Sequence, residues 1–344
     1  ARLYATTVTS LLAEPMPAAT DIARVLFRKD GIETPRVRLA TQRFMERCRA
    51  VRELERLLNL PGVPDERPTY RFGALAGKPD AIRQGNRVAE DERRRLDLGR
   101  EPIRDPLALL EAQGVLIGEL DGLEDEDRID GLFFELEGVG ACVGVNPRKD
   151  DFTGFRMAFT AAHECAHWLL RDVTIEQFTF EDRRGDELHE VRANTFAAAF
   201  LMPEAGLRSY FESAGLLVAG AICHLDRADI VRAMDHFGVS RTALLWRLQN
   251  CRLLVEEQAA ALRADEYSIS QAARALGITF RRVERVRGRL PALAVEAWRR
   301  GLVATGRAAE LYGVPIEDFR QYMGILGESQ DADGTPLLGA AATR

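Results

Sequence analysis

His163-Glu164-Cys165-Ala166-His167 contains two of the five histidines in this 344-residue chain. On a helix, residues i and i+4 lie on one face about one turn apart, so both imidazoles can bind one metal ion. Glu164 lies beside them, where it can take a proton from a water activated by that ion. The stretch therefore predicts a helix that carries a metal site. The alternative is an ordinary amphipathic helix whose histidines are buried in the core.

A second apolar helix is predicted over residues 190–203, ending at a Met-Pro pair, and a third ligand is expected at its start. Glu187, His189 and Glu190 are the candidates. The predicted buried stripe of this helix consists of Phe196, Ala197, Phe200 and Leu201. Extending the stripe back by two turns reaches Glu190, whereas His189 lies about 100° away around the axis. Glu190 is therefore the predicted ligand.

Asn194 lies one turn after Glu190 and is predicted to orient a ligating histidine from behind. Two histidines and one carboxylate, with a fourth position open, form the ligand set of a catalytic rather than a structural zinc site. Such a site also accepts other divalent ions, so Mn²⁺ is the alternative to Zn²⁺. His189, His224, His236 and Tyr210 are candidate donors to an oxyanion.

Several motifs resemble the ImmA/IrrE family of bacterial and phage zinc peptidases. They are the segment 160–167, Glu190-x-x-Ala193-Asn194-x-Phe196-Ala197, Leu201-Met202-Pro203, Ile129-Asp130-Gly131-Leu132-Phe133 and Gly144-Val145-Asn146. The resemblance covers residues 81–250. It implies a zinc endopeptidase in which His163, His167 and Glu190 hold the metal and Glu164 is the general base. Family members typically cleave a helix-turn-helix repressor, so the expected partner is a repressor encoded nearby and the expected context is a stress, phage or mobile-element response.

We predict an α+β fold: a small metallopeptidase domain with a three-stranded sheet and active-site helices, between helical terminal regions. Residues 1–80 are expected to form a helical region and a Pro/Gly-rich linker, and residues 81–213 the metallopeptidase domain. Two helical, helix-turn-helix-like segments are expected at 214–255 and 256–328, followed by a flexible tail at 329–344.

Three strands are predicted at residues 115–117, 131–136 and 141–145. The third precedes the active-site helix, and the family resemblance implies that it is an exposed edge strand that pairs with an extended substrate. The acidic loop at 124–127 is expected to be a solvated turn, with a cation site as the alternative.

Composition indicates a cytoplasmic protein. The five cysteines are scattered without a C-x-x-C pair, which favours free thiols in a reducing compartment. No apolar run approaches the length of a membrane span. Residues 81–210 carry 16 basic and 27 acidic residues, a net charge of −11. This acidity either steers a basic substrate to the domain or only keeps the protein soluble.

Helix-turn-helix spacing recurs at residues 236–244, 270–283 and 307–319. Residues 263–307 carry ten arginines against four acidic residues, which suits a DNA phosphate backbone. The same spacing also describes any helix pair with a tight Gly turn, and packing or substrate docking is the favoured role. A DNA-binding regulator with the peptidase fold as sensor or scaffold is therefore the second functional hypothesis.

Overall fold

The computed structural model describes residues 26–27, 34–61, 68, 70–124, 127, 129–147, 153–171, 183–281 and 289–328. The chain divides into two compact units. The first comprises residues 1–41 and 64–286, and the second comprises residues 42–63 and 287–344. The predicted domain boundaries stay predictions.

A four-stranded sheet forms one layer of the first unit. Its strands are β1 (Leu26–Phe27), β2 (Leu116–Glu119), β3 (Gly131–Leu136) and β4 (Gly140–Val145), in the order β1-β3-β4-β2. β3 and β4 form an antiparallel hairpin, β2 is parallel to β4, and β1 is antiparallel to β3. β2, β3 and β4 are the three strands predicted from the sequence, and the α+β class is confirmed.

The helices of the first unit cover both sequence-predicted site segments. They are α2 (Lys78–Arg95), α3 (Pro106–Ala112), α4 (Phe155–Leu170), α5 (Arg183–Leu201), α6 (Glu204–Ser213), α7 (Arg227–Phe237), α8 (Arg241–Asn250), α9 (Glu256–Ala264) and α10 (Ile269–Ala275). A small hairpin, β5 (Leu217–Val218) and β6 (Ala221–Ile222), precedes α7. α4 packs against both β3 and β4 and against α5, while α2 packs along α5. The main core lies between these elements.

Gly85 on α2 allows the close approach of α2 to α5. A Cβ atom at this position would lie 2.6 Å from the carbonyl oxygen of Arg192. Beside it, the Arg192 guanidinium donates a hydrogen bond of 2.6 Å to Gln84. This contact fixes the position of α5 and therefore of the side chains that α5 presents to α4.

Two buried arginines satisfy carbonyl groups where α5 ends. Arg93 donates to the carbonyl oxygens of Phe200, Gly99 and Glu101, and Arg247 donates to that of Met202. The last carbonyls of a helix have no intrahelical partner and carry partial negative charge, so both cations stabilise this end. Burial lowers the pKa of Arg93 to about 10, which leaves it charged at neutral pH.

The second unit contains most of α1 (Pro35–Leu57) together with α11 (Leu290–Arg299), α12 (Thr305–Tyr312) and α13 (Ile316–Glu328). Ala308, Ala309, Phe319 and Met323 form its small core. The buried Glu55 carboxylate binds both Arg52 and Arg289, at 2.7 and 2.6 Å.

Two of the three predicted helix-turn-helix spacings form helix pairs. α7 and α8 are joined through Gly238 at φ 67°, and α12 and α13 are joined through Gly313 at φ 86°. Glycine adopts this left-handed conformation without the steric strain of a Cβ atom. In the third, α10 is followed by Gly277 at φ 67°, but residues 282–288 lie outside the described residues.

Two secondary-structure predictions were wrong. The prediction of a helical N-terminal region fails at Leu26–Phe27, which pair with β3, and residues 1–25 and 28–33 lie outside the described residues. α5 begins at Arg183 rather than at Glu190, because helix extends through a polar segment that has no apolar periodicity. None of the helices within the described ranges has the length and apolarity needed to cross a membrane.

Candidate metal centre

α4 presents both histidines of the H-E-x-x-H stretch from a buried helix. Gly154 precedes it at φ 74°, in the left-handed region, and α4 then runs between the sheet and α5. The side chain of His163 is fully buried, and that of His167 is nearly so. Their Nε2 atoms lie 3.2 Å apart, so the two ring nitrogens point to one location.

α5 places a carboxylate against both imidazoles. Glu190 Oε2 lies 3.3 Å from His163 Nε2, and Glu190 Oε1 lies 3.4 Å from His167 Nε2. Within the described part of the chain, these three residues form the group whose ligand atoms, all within 4.8 Å of one another, could hold a metal ion.

The donor set fits a tetrahedral divalent ion. Ligand bonds of about 2.0–2.2 Å at tetrahedral angles separate neighbouring donor atoms by about 3.3–3.5 Å. The three observed separations of 3.2, 3.3 and 3.4 Å are close to these values. Two buried imidazole nitrogens at this distance also need a shared cation or proton, because their lone pairs otherwise repel each other. The geometry does not distinguish Zn²⁺ from other ions of similar size.

Asn194 determines which nitrogen of His163 faces the ligand cluster. His163 Nδ1 donates a hydrogen bond of 3.0 Å to Asn194 Oδ1, since an amide oxygen can only accept. The neutral imidazole then keeps its lone pair on Nε2, the atom that faces Glu190 and His167. Asn194 therefore lies behind His163, as the sequence predicts, and its role toward a bound metal stays a prediction.

The cluster also affects the ionisation of its carboxylate. Partial burial raises the pKa of Glu190, but when the two imidazoles are protonated, hydrogen bonds and charge interactions with His163 and His167 outweigh this effect. The net result is a pKa well below the usual range of a glutamate. An ionised carboxylate is the form that binds a metal.

Glu164 is almost completely buried, with 2% of its surface exposed. It lies on α4 toward β3, where Gly131 offers space instead of a side chain. Glu164 thus follows His163 in the chain and packs on the strand that flanks the helix.

The competing third-ligand candidates are not in the cluster. Glu187 is exposed and forms an ion pair of 2.7 Å with Lys78 on α2. His189 is half-buried and lies outside the three-residue ligand group. The choice of Glu190 from the apolar stripe agrees with this arrangement.

The remaining oxyanion-donor candidates lie in other surroundings. The rings of Tyr210 and His236 are 4.6 Å apart, in a cluster with Phe211 and Phe237. Burial raises the pKa of Tyr210 and lowers that of His236. His224 is exposed. The roles of His189 and Tyr210 as donors stay predictions.

Two further features of the sequence have structural explanations. Asp127 in the acidic loop accepts bonds from Thr34 and from the backbone amide of Glu124, and Arg36 pairs with both Asp127 and Glu124. Glu124 and Asp127, the loop residues that the structure describes, are therefore paired with protein groups. Cys165 is fully buried, and burial raises the pKa of its thiol, which keeps it protonated; the five cysteines, all within the described residues, are free.

The α+β fold and the cluster of His163, His167 and Glu190 are consistent with a domain of the metallopeptidase type. Residues 110–249 match the family model for the IrrE N-terminal-like domain, Peptidase M78. This segment runs from α3 to α8 and contains His163, Glu164, His167, Glu190 and Asn194, so the predicted resemblance to the ImmA/IrrE family is confirmed for it. Comparisons with curated proteins and with solved structures gave no match.

Proposed function

We propose that the chain is a zinc-dependent endopeptidase that cleaves a helix-turn-helix transcriptional repressor and so relieves repression. The observation that carries the proposal is the convergence of His163, His167 and Glu190, with the carboxylate of Glu164 beside them on α4. A purely structural metal site uses four protein ligands and has no need of an adjacent buried base. This set leaves room for water or substrate.

The mechanism assigns one task to each residue of the centre. A bound divalent ion supplies a Lewis acid that polarises the scissile carbonyl and acidifies water. Glu164 takes a proton from the attacking water on a carboxylate oxygen and then transfers it to the leaving amine nitrogen. His163, His167 and Glu190 would hold the ion, and Asn194 would maintain the orientation of His163 through Nδ1. Burial of Glu164 strengthens its electrostatic interactions with the reacting groups.

The strand predicted to pair with substrate requires correction. β4 is not an edge strand, because β3 pairs with one side of it and β2 with the other. The sequence pattern identifies β4 as a strand but does not show how many neighbours it has. The outer side of β3 pairs with Leu26–Phe27. A substrate that adds a strand to this sheet must therefore use an outer strand rather than residues 141–145.

The charge of the domain supports a basic protein substrate. Residues 81–210 carry a net charge of −11, from 16 basic and 27 acidic residues. DNA-binding repressors are basic, so long-range attraction would raise their rate of encounter with this domain. We propose a repressor encoded close to this gene as the substrate.

Pairing of arginines makes DNA binding through residues 263–307 the weaker proposal. Arg281 donates to the carbonyl oxygen of Ile103, Arg289 binds Glu55, and Arg300 binds Glu296. Each of these partners competes with phosphate for the guanidinium. These contacts favour a packing or substrate-docking role for the segment.

Incubation of the zinc-loaded protein with the neighbouring helix-turn-helix repressor tests the proposal, with products identified by intact-mass spectrometry. We expect two complementary fragments, absent with a chelator and absent with the Glu164→Gln variant. An intact repressor in the presence of the zinc-loaded wild type would contradict the proposed substrate. Fragments that persist with Glu164→Gln would contradict the proposed chemistry.

A further inference from the structure

Gly131, the first residue of β3, leaves space for the Glu164 side chain. A Cβ atom at position 131 would lie 3.1 Å from Glu164 Oε1 and 3.2 Å from Glu164 Cγ. It would also lie 2.5 Å from Thr160 Cγ2. Thr160 precedes Glu164 by one helical turn, so both side chains point from α4 toward this strand. Even an alanine at position 131 would therefore collide with the helix face that carries the general base.

The start of β3 is held firmly in this position. The backbone amide of Asn146 donates to the Asp130 carbonyl oxygen, and its side-chain amide donates to the Ile129 carbonyl oxygen, both at 2.8 Å. The Asp130 carboxylate forms a 2.7 Å ion pair with Arg156 near the start of α4. Gly131 itself is paired with Val145 in the β3–β4 ladder. These contacts prevent the strand from moving away when a side chain is added.

The helix has little freedom to retreat either. α4 packs against the sheet and α3 as well as against α5, and nearly all of its side chains are buried. Moving α4 would also displace His163 and His167 from Glu190. Thr160 is β-branched and therefore stiff at χ1. Among the groups that face Gly131, the outer part of the Glu164 side chain is the easiest to displace.

We infer that Gly131 is a positioning residue: its lack of a side chain sets the location of the Glu164 carboxylate relative to the bound water and substrate. The inference rests on the proposed peptidase function and on the fit of a divalent ion to the ligand cluster. A displacement of a few tenths of an ångström is enough to matter, because catalytic groups need to be held within about 0.5 Å of their productive position.

The first test measures kcat and KM for cleavage of the neighbouring helix-turn-helix repressor by Gly131→Ala, Thr160→Ser and the double variant. Zinc content and Tm are measured on the same three proteins. Thr160→Ser removes the Cγ2 atom of the closest collision and keeps the hydroxyl. We expect Gly131→Ala to lower kcat by roughly 10–100-fold with KM and zinc content close to wild type, as for a small misplacement of a catalytic group. The double variant should have a Tm close to that of the wild type but keep the lowered kcat. Thr160→Ser alone should retain activity.

Gly206→Ala is the matched control. A Cβ at position 206 would lie 2.3 Å from the carbonyl oxygen of Arg100, which is closer than the 2.5 Å contact with Thr160 and does not involve Glu164. This variant should have a lower Tm than the wild type, while its folded, zinc-loaded fraction keeps the wild-type kcat. The inference is overturned if Gly131→Ala keeps the wild-type kcat, if its loss parallels zinc loss, or if Thr160→Ser restores kcat in the double variant.

A second test does not require peptidase activity. Acetohydroxamic acid binds a divalent ion through two oxygens and gives up a proton to a nearby base. Calorimetric titration of the zinc-loaded proteins should show roughly tenfold weaker binding for the double variant and for Glu164→Gln, and wild-type binding for Thr160→Ser. Equal binding by the double variant and wild type overturns the positioning role. If the wild type binds acetohydroxamic acid but cleaves no repressor, the proposed function fails, and this titration alone decides the role of Gly131.

Discussion

Asn194→Ala should weaken zinc binding without removing a ligand. The substitution deletes the acceptor of the 3.0 Å hydrogen bond from His163 Nδ1, and it leaves that buried donor without its amide partner. Loss of a group that orients a metal-bound histidine typically lowers metal affinity by about 10–100-fold. That range corresponds to about 1.4–2.8 kcal/mol, close to the ~1–3 kcal/mol expected for a buried donor that loses its acceptor. The loss of metal affinity and the cost of a buried donor that loses its acceptor therefore predict the same change in free energy.

Competition with a fluorescent zinc chelator measures the predicted change in Kd. Asn194→Asp keeps an acceptor in place and adds negative charge, so its zinc affinity should equal or exceed that of the wild type. Thr195→Ala is the matched control, because Thr195 is the next residue on α5 and its hydroxyl donates within the helix to Val191. A wild-type Kd for Asn194→Ala, or an equal loss for Asn194→Asp, would refute the argument that this hydrogen bond orients His163.

The other predictions concern the third ligand and the end of α5. Glu190→Ala should reduce the zinc content of purified protein strongly, whereas Glu187→Ala and His189→Ala should not, as measured by elemental mass spectrometry; zinc loss in only one of the latter two would identify a different ligand. Arg93→Met should lower the free energy of unfolding by about 3 kcal/mol or more in urea titrations, because several buried carbonyls lose a charged donor. Arg93→Lys, which keeps the charge and fewer donors, should lose less, and equal losses would show that charge and geometry do not matter there.

The convergence of His163, His167 and Glu190 could be predicted from the sequence because helical periodicity is local. The spacing of His163 and His167 places both on one face of α4, and the apolar stripe of α5 continues back to Glu190. Neither inference depends on how distant segments meet. The start of α5 was missed because Glu187 belongs to a polar segment without apolar periodicity. In the structure, Glu187 in the first part of α5 forms an ion pair with Lys78, which is distant in the chain.

Contacts between distant segments account for what the sequence did not predict. The pattern of residues 141–145 is the same for an edge strand and a central strand, and only the parallel pairing with β2 shows that β4 is central. Gly131 belongs to one of the sequence motifs, but its contact with Glu164 depends on the packing of β3 on α4. Leu26–Phe27 likewise form a strand through pairing with β3 rather than through a local pattern.

The most direct measurement of the central claim is zinc content and repressor cleavage on the same preparations of wild type and Glu164→Gln. Glu164 is the proposed base and is not a ligand, so the variant should retain about one zinc ion per chain and lose cleavage by at least ~100-fold. His167→Ala serves as the comparison that should lose both zinc and cleavage. Cleavage retained by Glu164→Gln, or zinc lost from it as completely as from His167→Ala, would contradict the account.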